Sequence, residues 1–494
     1  MRRILLVMAL GIIGCAPATR YPLPTAAKEE PPAAAERPAR PRAPAADLGW
    51  MPPDPDQIDK NAIAIEFVHE SNSAEWNRLK AFWTLEPTAV LPPLSPLSPL
   101  GQGVAAATTR PAVVKIKIPA GLDPIGREQI PEANPPTVAK WQLGKQLFFD
   151  DGWLQSEDDA PLSCSSCHRP VFGFTDHRLT PPGWKFNTPT LVNVVYNKHF
   201  FWDGRAAALE EVVQRTLEDE RESAGDEEAA RRHVWGGVIH RLRRSDEYSR
   251  RFQQVFGTPP TQDALGKALA TYLRTVLSGD SLHDRAERVR RERQGKELEP
   301  ADYEKVLDAT AIDAVLLEKT DKEPKEKVAQ QLHAGWKLFH GKAKCSACHS
   351  GGNFTDNGFH NLGVELLMQD HYNPGEEPGR FAALPIGRKD WAMIGAYKTP
   401  PLRALLGTAP YFHDGFRHDL FDVVQVHVKG SQIRNRYLDP LLRDAEDRHR
   451  DFGLNEEEAR ALTMFLKALD GAPIDPVVAD PTRWPEGTAA PKQK

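Results

Sequence analysis

The sequence predicts a mostly α-helical chain with two related halves, preceded by a Pro-rich N-terminal extension. No alternating strand pattern of useful length stands out between the helical segments. Apolar residues recur at three- and four-residue spacing, the period of a helix face, in Val138–Phe149, Ala206–Leu217, Thr261–Leu277, Val328–Phe339, Leu420–Val428 and Asn455–Leu469. The two halves are indicated by an internal repeat, and the extension is indicated by its composition.

The internal repeat has a constant offset of 211 residues and runs without a gap. It carries Thr188-Pro189 onto Thr399-Pro400, Asp203-Gly204 onto Asp414-Gly415, Leu209 onto Leu420, and Val212-Val213 onto Val423-Val424. A related helix end precedes each repeat, Gly144-Lys-Gln-Leu147-Phe148 in the first half and Gly335-Trp-Lys-Leu338-Phe339 in the second. Two homologous halves follow from this self-similarity.

The N-terminus has the features of an export signal. Met1-Arg2-Arg3 is followed by the apolar run Ile4–Ile13, which is far shorter than the roughly 20 residues of a membrane-spanning helix. Gly14-Cys15 closes the run as a lipoprotein cleavage site would, with Cys15 becoming the lipid-anchored first residue in a bacterial periplasm. An ordinary secretory signal that happens to contain Cys15 is the alternative.

Composition divides the chain into six segments. They are a signal peptide with lipobox (1–15), a Pro/Ala-rich tether and N-terminal extension (16–117), the first half (118–283), a charged insertion (284–327), the second half (328–475) and a tail (476–494). Within the extension, the apolar and aromatic residues of Asp56–Leu85 predict a short helical element. The insertion is expected to be helical and solvated, because most of its residues are charged.

Length and charge limit the function classes. With 494 residues, the chain is long enough for two or three domains. Its net charge is −5, so no basic surplus exists for phosphate contacts. Nucleic acid is therefore excluded as a partner.

The cysteines carry the strongest chemical signal. Of five cysteines, all but Cys15 fall into Cys164-Ser-Ser-Cys167-His168 and Cys345-Ser-Ala-Cys348-His349. Cys-x-x-Cys-His is the attachment signature of c-type haem, with thiols bound to the haem and the His under the iron. Disulfides would not require the histidines, and zinc would lack a fourth ligand in each half. The sequence therefore predicts two cytochrome c-like haem domains.

The order of motifs resembles one family in both halves, from about Ile118 to Gly471 with the insertion left out. These motifs are Gly144-Lys-Gln-Leu-Phe-Phe, the first Cys-x-x-Cys-His, Asn187-Thr-Pro-Thr-Leu, Phe201-Trp202-Asp203-Gly204-Arg205, the second Cys-x-x-Cys-His and Thr408-Ala-Pro-Tyr-Phe-His413-Asp-Gly. They are similar to the bacterial dihaem cytochrome c peroxidases, a family that includes the dihaem enzymes maturing the quinone cofactor of methylamine dehydrogenase.

The resemblance implies an activity and partners. The haem of the first half would react with hydrogen peroxide, and the haem of the second half would accept electrons. A small electron-donor cytochrome or cupredoxin would supply them. A homodimer is left open by the sequence.

The resemblance also implies roles for individual residues. Trp202 would be the aromatic bridge between the haems, although a buried Trp is more often plain core. Calcium would bind between the halves through Asn187, Thr408 and Pro410, an all-oxygen set.

Peroxide cleavage needs a group that moves a proton between the two oxygens. Glu222 aligns best with the family's distal Glu in this role. Glu218 and Glu220 are alternatives in the same acidic segment.

Two departures from the family concern the iron ligands. Several members carry a distal His after the first haem motif, whereas here only His177 is available and it lies too near the motif. The first haem is therefore expected to be open to peroxide. In the second half, His427 stands where relatives supply Met or Tyr, and a Met from the preceding loop, Met393 or Met368, is the alternative ligand.

These features favour a peroxidase over two alternatives. A dihaem oxidase of a protein or small organic partner would use the same oxidised state of the haems. A non-catalytic electron carrier would need both irons to be six-coordinate.

The paired motifs predict two covalent haems. After expression with a cytochrome c maturation system, the mass of the mature protein is expected to include two haem additions. A mature protein without them would rule out the haem hypothesis.

Overall fold

The computed structural model of the chain describes a set of ranges separated by gaps. These are residues 63–87, 89–90, 109–110, 112–155, 161–177, 186–219, 227–315, 323–364 and 378–485. The predicted signal peptide with Cys15, most of the Pro-rich tether and the end of the tail lie outside the described residues. Within the described residues, no helix combines the length and apolar character needed to cross a bilayer.

Helices dominate the described residues, as the sequence predicts. They are α1 (Ser73–Arg78), α2 (Val138–Phe149), α3 (Cys164–Cys167), α4 (Leu209–Asp219), α5 (Glu227–Arg244), α6 (Asp246–Phe256), α7 (Gln262–Leu273), α8 (Leu282–Glu292), α9 (Pro300–Val306), α10 (Ala309–Val315), α11 (Lys325–His340), α12 (Arg380–Ala383), α13 (Leu420–Lys429), α14 (Glu456–Lys467) and α15 (Pro476–Ala479). The six segments predicted from the sequence correspond to α2, α4, α7, α11, α13 and α14.

Polar side chains cap the N-termini of several of these helices. The Thr137 hydroxyl accepts a hydrogen bond from the backbone N–H of Lys140 at the start of α2, and Thr261 does the same for Ala264 at the start of α7. Asn455 caps α14 in the same way. Such caps satisfy backbone donors that have no partner within the helix.

A close helix crossing forms the core of each half. In the first half α2 packs against α7, and in the second half α11 packs against α14. A Cβ on Gly144 would lie 2.0 Å from the carbonyl oxygen of Ala268, and one on Gly335 would lie 2.1 Å from that of Ala461. Only glycine allows the two backbones of each pair to approach this closely.

The N-terminal extension contains a short helix, α1, within the segment where one was expected, and also a small sheet that was not expected. Strands β1 (Ala64–Val68) and β5 (Val113–Lys117) are parallel, and β2 (Trp83–Glu86) adds an antiparallel edge. Two-residue ladders occur elsewhere: β3 (Ala89–Val90) with β4 (Thr109–Arg110), β6 (Leu154–Gln155) with β7 (Pro161–Leu162), and β8 (Phe359–His360) with β9 (Tyr397–Lys398).

The expectation of a helix was wrong for β1 because it overlooked a two-residue period. Ile63, Ile65 and Phe67 alternate with small or charged residues, which is the signal of a half-buried strand. The backbone N–H of Val138 donates to the carbonyl oxygen of Ile63 (2.9 Å), so the sheet packs at the start of α2.

The charged insertion is helical, but one of its faces is buried. Residues of α8 to α10, among them Ala286 and Tyr303, pack against α11 and against Met464 of α14. Asp284 of α8 forms a buried, bidentate ion pair with Arg403 (2.7 and 3.0 Å). Burial opposes ionisation of Asp284, but the hydrogen bonds and charge of Arg403 outweigh it and lower the pKa of this carboxyl. The expectation of a solvated insertion is therefore wrong for this face.

The tail returns to the first half. The ammonium of buried Lys145 on α2 donates to the carbonyl oxygens of Val477 (2.6 Å) and Arg483. The Tyr272 hydroxyl of α7 donates to the carbonyl oxygen of Val478 (2.9 Å), whose side chain is fully buried. The core of the first half thus includes residues near the end of the chain.

The helix crossings predict opposite effects of two Gly→Ala changes. G335A should lower the free energy of unfolding by about 1–3 kcal/mol, because the new methyl group forces α11 away from α14. G236A, on α5 with no atom within 4 Å of the position that a Cβ would take, should instead raise it by about 0.4–1 kcal/mol. Urea titrations followed by far-UV circular dichroism measure both changes, and equal stability of the two variants would contradict the close crossing.

Candidate functional site

The first Cys-x-x-Cys-His motif forms one short helix that orients its histidine. The backbone N–H of His168 donates to the carbonyl oxygen of Cys164 (2.9 Å), and Ser163 N–H donates to Ser166 Oγ (3.1 Å). His168 Nδ1 lies 3.0 Å from the carbonyl oxygen of Phe174. A carbonyl can only accept, so Nδ1 carries the proton and Nε2 keeps its lone pair.

The second motif repeats this arrangement. The backbone N–H of His349 donates to the carbonyl oxygen of Cys345 (2.9 Å), and His349 Nδ1 donates to that of Phe354 (3.0 Å). Phe174 and Phe354 both have positive φ angles, 57° and 52°. Both histidines therefore present Nε2, the usual state of an imidazole that binds a metal.

Burial keeps both imidazoles neutral. It lowers the pKa of His168, and it lowers the pKa of His349 to about 4, with a smaller contribution from His427. Burial also raises the pKa of the Cys345 thiol to about 12. Thiol redox chemistry requires a thiolate, so this cysteine is unsuited to it, whereas the motif fits covalent attachment of a haem.

The structure places His427, the predicted sixth ligand, near His349. Their ring centres are 6.5 Å apart, and His427 Nδ1 donates to the carbonyl oxygen of Val423 (2.8 Å), which leaves Nε2 available. An ion bound to one nitrogen of each imidazole would separate the ring centres by roughly 6–6.5 Å, since metal–imidazole bonds are about 2.0–2.1 Å long. His349 and His427 could therefore both hold the iron of a haem attached to the second motif.

The first half has a threonine at the corresponding position. Thr216 lies 211 residues before His427, and its hydroxyl donates to the carbonyl oxygen of Val212 (2.9 Å), as His427 does to that of Val423. The hydroxyl is too short and too weak a ligand to replace an imidazole. Helix α4 therefore offers no counterpart of His427 at this position.

The other candidate iron ligands lie in loops. His177 is exposed, with a φ angle of 56°, and stacks on Phe172 with ring centres 4.9 Å apart. Met393 is half-buried at the end of a 3-10 turn that also contains the exposed Trp391. Met368 lies outside the described residues.

Trp202 lies where the two halves meet. Its indole N–H donates to the carbonyl oxygen of Asn187 (2.8 Å), and its own carbonyl accepts from the backbone N–H of Lys398 (2.8 Å). The backbone N–H of Asn187 in turn donates to the carbonyl oxygen of His413 (2.7 Å). Lys398 and His413 follow Asn187 and Trp202 by the same 211 residues, so the two backbone bonds are reciprocal.

The predicted calcium ligands partly converge at this junction. The side-chain amide of Asn187 is buried and lies 2.6 Å from the carbonyl oxygen of Pro410. Within the described part of the chain, Asn187 Oδ1 is buried without a hydrogen-bond partner. Thr408 is two residues before Pro410 and half-buried. An unpaired buried oxygen beside a carbonyl oxygen fits a hard cation.

The proposed acid/base residues are largely outside the described ranges. Glu220 and Glu222 fall in the gap after α4, and Glu218 lies in the last turn of that helix.

Three residues around the motifs were not expected from the sequence. His413 occupies the repeat position of Trp202, and their ring centres are 6.4 Å apart. Lys398 is buried at the junction. His360 donates to Asp439 (2.7 Å) and Asp356 (3.0 Å). The 211-residue offset could have identified His413 and Lys398.

His360 carries a positive charge near the second motif. Its hydrogen bonds with Asp439, Cys348 and Asp356 outweigh burial and raise its pKa to about 11. Cys348, Asp356 and His360 lie close enough together to hold a metal ion, but Cys348 belongs to the haem motif, so they do not indicate a separate metal site.

Comparison with known proteins gives consistent results. A family model described as di-haem cytochrome c peroxidase matches residues 138–293. The methylamine utilization protein MauG of Methylorubrum extorquens is 31% identical over 350 residues, which cover 69% of this chain and 81% of that protein. Cytochrome-c peroxidase IdrP1 of Denitromonas iodatirespirans is 29% identical over 390 residues, covering 74% of this chain and 89% of that protein.

A solved structure shares the fold. It is that of a MauG-like protein associated with microbial copper homeostasis, with a TM-score of 0.53 and 22% identity, covering 74% of this chain and 97% of that one.

The ring geometry predicts the spectrum of the second haem. Bis-His ligation gives ferric haem no weak band near the red edge of the visible spectrum, whereas a Met–iron bond gives one. Wild type should lack the band, H427A should lose the low-spin signal of one haem, and M393A should match wild type. A band that is present and disappears in M393A would overturn the assignment of His427.

Proposed function

Because this chain belongs to the di-haem cytochrome c peroxidase family, we propose that it is a dihaem peroxidase that reduces hydrogen peroxide to water with electrons from a small donor protein. The haems would attach at Cys164 and Cys167 in the first half and at Cys345 and Cys348 in the second. His168 and His349 would be the proximal ligands. When bound, the haems supply the exchange of electrons with donor and peroxide.

One observation carries the proposal: the two halves differ on the side opposite the proximal histidine. His427 faces His349 with ring centres 6.5 Å apart. The repeat position in α4 holds Thr216, whose hydroxyl is turned to the carbonyl oxygen of Val212. This difference favours a first haem with a position for peroxide and a second haem that only passes electrons.

The hydrogen bonds of the proximal histidines have a chemical role in this proposal. Each Nδ1–H bond to a backbone carbonyl fixes the tautomer and the ring orientation. It also makes Nε2 a better donor to the iron, as outer hydrogen bonds commonly do at metal sites. The carbonyl groups of Phe174 and Phe354 would thus orient His168 and His349 for binding to iron.

Trp202 would connect the two haems. Its indole N–H and its carbonyl are bonded to residues of both halves, Asn187 and Lys398. These bonds fix the ring at the junction, which suits an aromatic bridge for electrons.

Glu222 would move the proton from one peroxide oxygen to the other, so that water can leave. Glu218 and Glu220 remain the alternatives.

Calcium would strengthen the junction. The buried Asn187 Oδ1, which has no hydrogen-bond partner in the described structure, and the carbonyl oxygens of Thr408 and Pro410 would be its ligands. The Asn187 amide nitrogen lies 2.6 Å from the carbonyl oxygen of Pro410, so a half-turn of the amide would place Oδ1 beside the same carbonyl.

The cell location follows from the N-terminal sequence. Cleavage before Cys15 and its lipidation would hold the enzyme on a bacterial membrane, facing the periplasm. The Pro/Ala-rich segment would act as a tether. The donor would be a small cytochrome or cupredoxin, and a homodimer is compatible with the proposal.

A second candidate function is oxidation of a protein or small organic partner. It is favoured by His427, because histidine lowers the potential of a haem relative to methionine and so changes which donors can reduce it. Thr216 opposes a purely electron-carrying protein, since that would need a sixth ligand in the first half.

Steady-state reduction of peroxide with several reduced donors tests the proposal. Wild type should turn over and show a high-spin haem component. E222Q should lose roughly a hundredfold or more in turnover, the scale of a general acid/base group. E457Q, which changes an exposed acid on α14, should keep wild-type activity.

Two outcomes would contradict parts of this proposal. Full activity of E222Q would shift the role to Glu220 or Glu218, which the same substitution tests in turn. Absence of turnover with every donor, together with two low-spin haems, would favour an electron carrier.

A further inference from the structure

Lys398 carries a buried ammonium group at the junction of the halves. The residue is 7% exposed, and among the described residues its Nζ has one hydrogen bond, to the carbonyl oxygen of Thr399 (3.2 Å). Burial lowers its pKa to about 8, opposed by the charge of Asp356. The group is therefore still mostly protonated at neutral pH. A buried ammonium needs an anion close by, because desolvation strongly disfavours an isolated charge.

The backbone holds this ammonium in a fixed place. The N–H of Lys398 donates to Trp202, and Lys398 pairs with Phe359 in the β8–β9 ladder. The Thr355 hydroxyl donates to the carbonyl oxygen of Thr399 (2.7 Å). Thr355 directly follows Phe354, which anchors His349. Lys398 is thus tied to the segment that orients the proximal histidine of the second half.

The internal repeat relates Lys398 to a residue of the proposed calcium site. The residue 211 positions earlier is Asn187, which we assign to a cation site with Thr408 and Pro410. The repeat positions of Thr408 and Pro410 are Asn197 and His199.

The surroundings of Lys398 agree with this correspondence. Burial, followed by the charges of Arg380 and Lys398, lowers the pKa of His199, so the ammonium lies near it. Asn197 Oδ1 is buried without a partner in the described structure. At the position of Asn187, one junction site would bind a calcium ion. At the repeat position, the ammonium of Lys398 would supply the positive charge instead.

We propose that the ammonium of Lys398 forms an ion pair with a propionate carboxylate of the haem attached at Cys345 and Cys348, and that it raises the reduction potential of this haem. This rests on the proposed function, since it requires a haem in the second half. Among the described residues, Lys398 has a carbonyl acceptor and the more distant charge of Asp356 but no direct ion pair, and a haem propionate would supply one.

The ion pair has a direct effect on the redox equilibrium. Ferric haem carries one more positive charge than ferrous haem, so a nearby cation disfavours the ferric form. His427 acts in the opposite direction, because imidazole lowers the potential relative to methionine. Lys398 would therefore keep the reduction potential of a bis-His haem high enough for the donor to reduce it.

Potentiometric titration at neutral pH, followed in the visible spectrum, tests the ion pair in the haem-loaded protein. In K398M, the ratio of reduced to oxidised second haem at a fixed potential should fall about tenfold, equivalent to about 59 mV for one electron. K398R keeps the charge and should stay near wild type. K337M removes an exposed lysine of the same half and should leave the ratio unchanged.

A second measurement does not depend on the variant. In a crystal structure of the haem-loaded wild type, Nζ of Lys398 should lie within hydrogen-bond distance of a propionate oxygen of the second haem. K398M with two haems and an unchanged potential, or a wild-type structure with Lys398 away from the propionates, would overturn the ion pair while leaving peroxide reduction intact. Absence of haem from the second half would overturn both proposals.

Discussion

Two reciprocal backbone hydrogen bonds hold the functional elements of this protein in register. Asn187 donates to His413, and Lys398 donates to Trp202. Each bond joins the segment after one Cys-x-x-Cys-His motif to the aromatic turn of the other half. The indole of Trp202, the amide of Asn187 and the ammonium of Lys398 all extend from these four residues. Any shift of one half against the other would disturb them together.

The same scaffold supports two different chemical environments. His168 and His349 are held alike, each by one hydrogen bond to a backbone carbonyl. The difference lies in one residue of the facing helices, Thr216 in α4 and His427 in α13. Under the proposed function, this one difference would separate substrate binding in the first half from electron entry in the second.

The sequence was sufficient for the parts of the structure that depend on local patterns. Helix α2 has the bounds predicted from its apolar period, and the haem motifs follow from residue type and spacing. The role of His427 rests on the family resemblance and the internal repeat, and it stays a prediction. The sheet of the extension was missed, because the two-residue period of β1 was overlooked and its partner β5 lies far away in sequence. The buried face of the insertion was missed as well, since its apolar residues are sparse among charges and find their partners on α11.

Other features could not be read from the sequence because they depend on tertiary contacts. A lysine such as Lys398 is usually exposed, and its burial is seen only in the folded chain, where it lies in the β8–β9 ladder at the junction of the halves. The pairing of Asp284 with Arg403 joins residues more than a hundred positions apart in the chain. Glu222 lies outside the described residues and stays a prediction.

The contacts of the tail have a consequence for the stability of the first half. Lys145 and Tyr272 in the first half bond to carbonyl oxygens of residues 477 and 478, near the end of the chain. A chain shortened before residue 477 would leave the buried ammonium of Lys145 and the buried phenol of Tyr272 without these acceptors. Because an unpaired buried polar group is costly, the last residues of the chain stabilise the half that lies farthest from them in sequence.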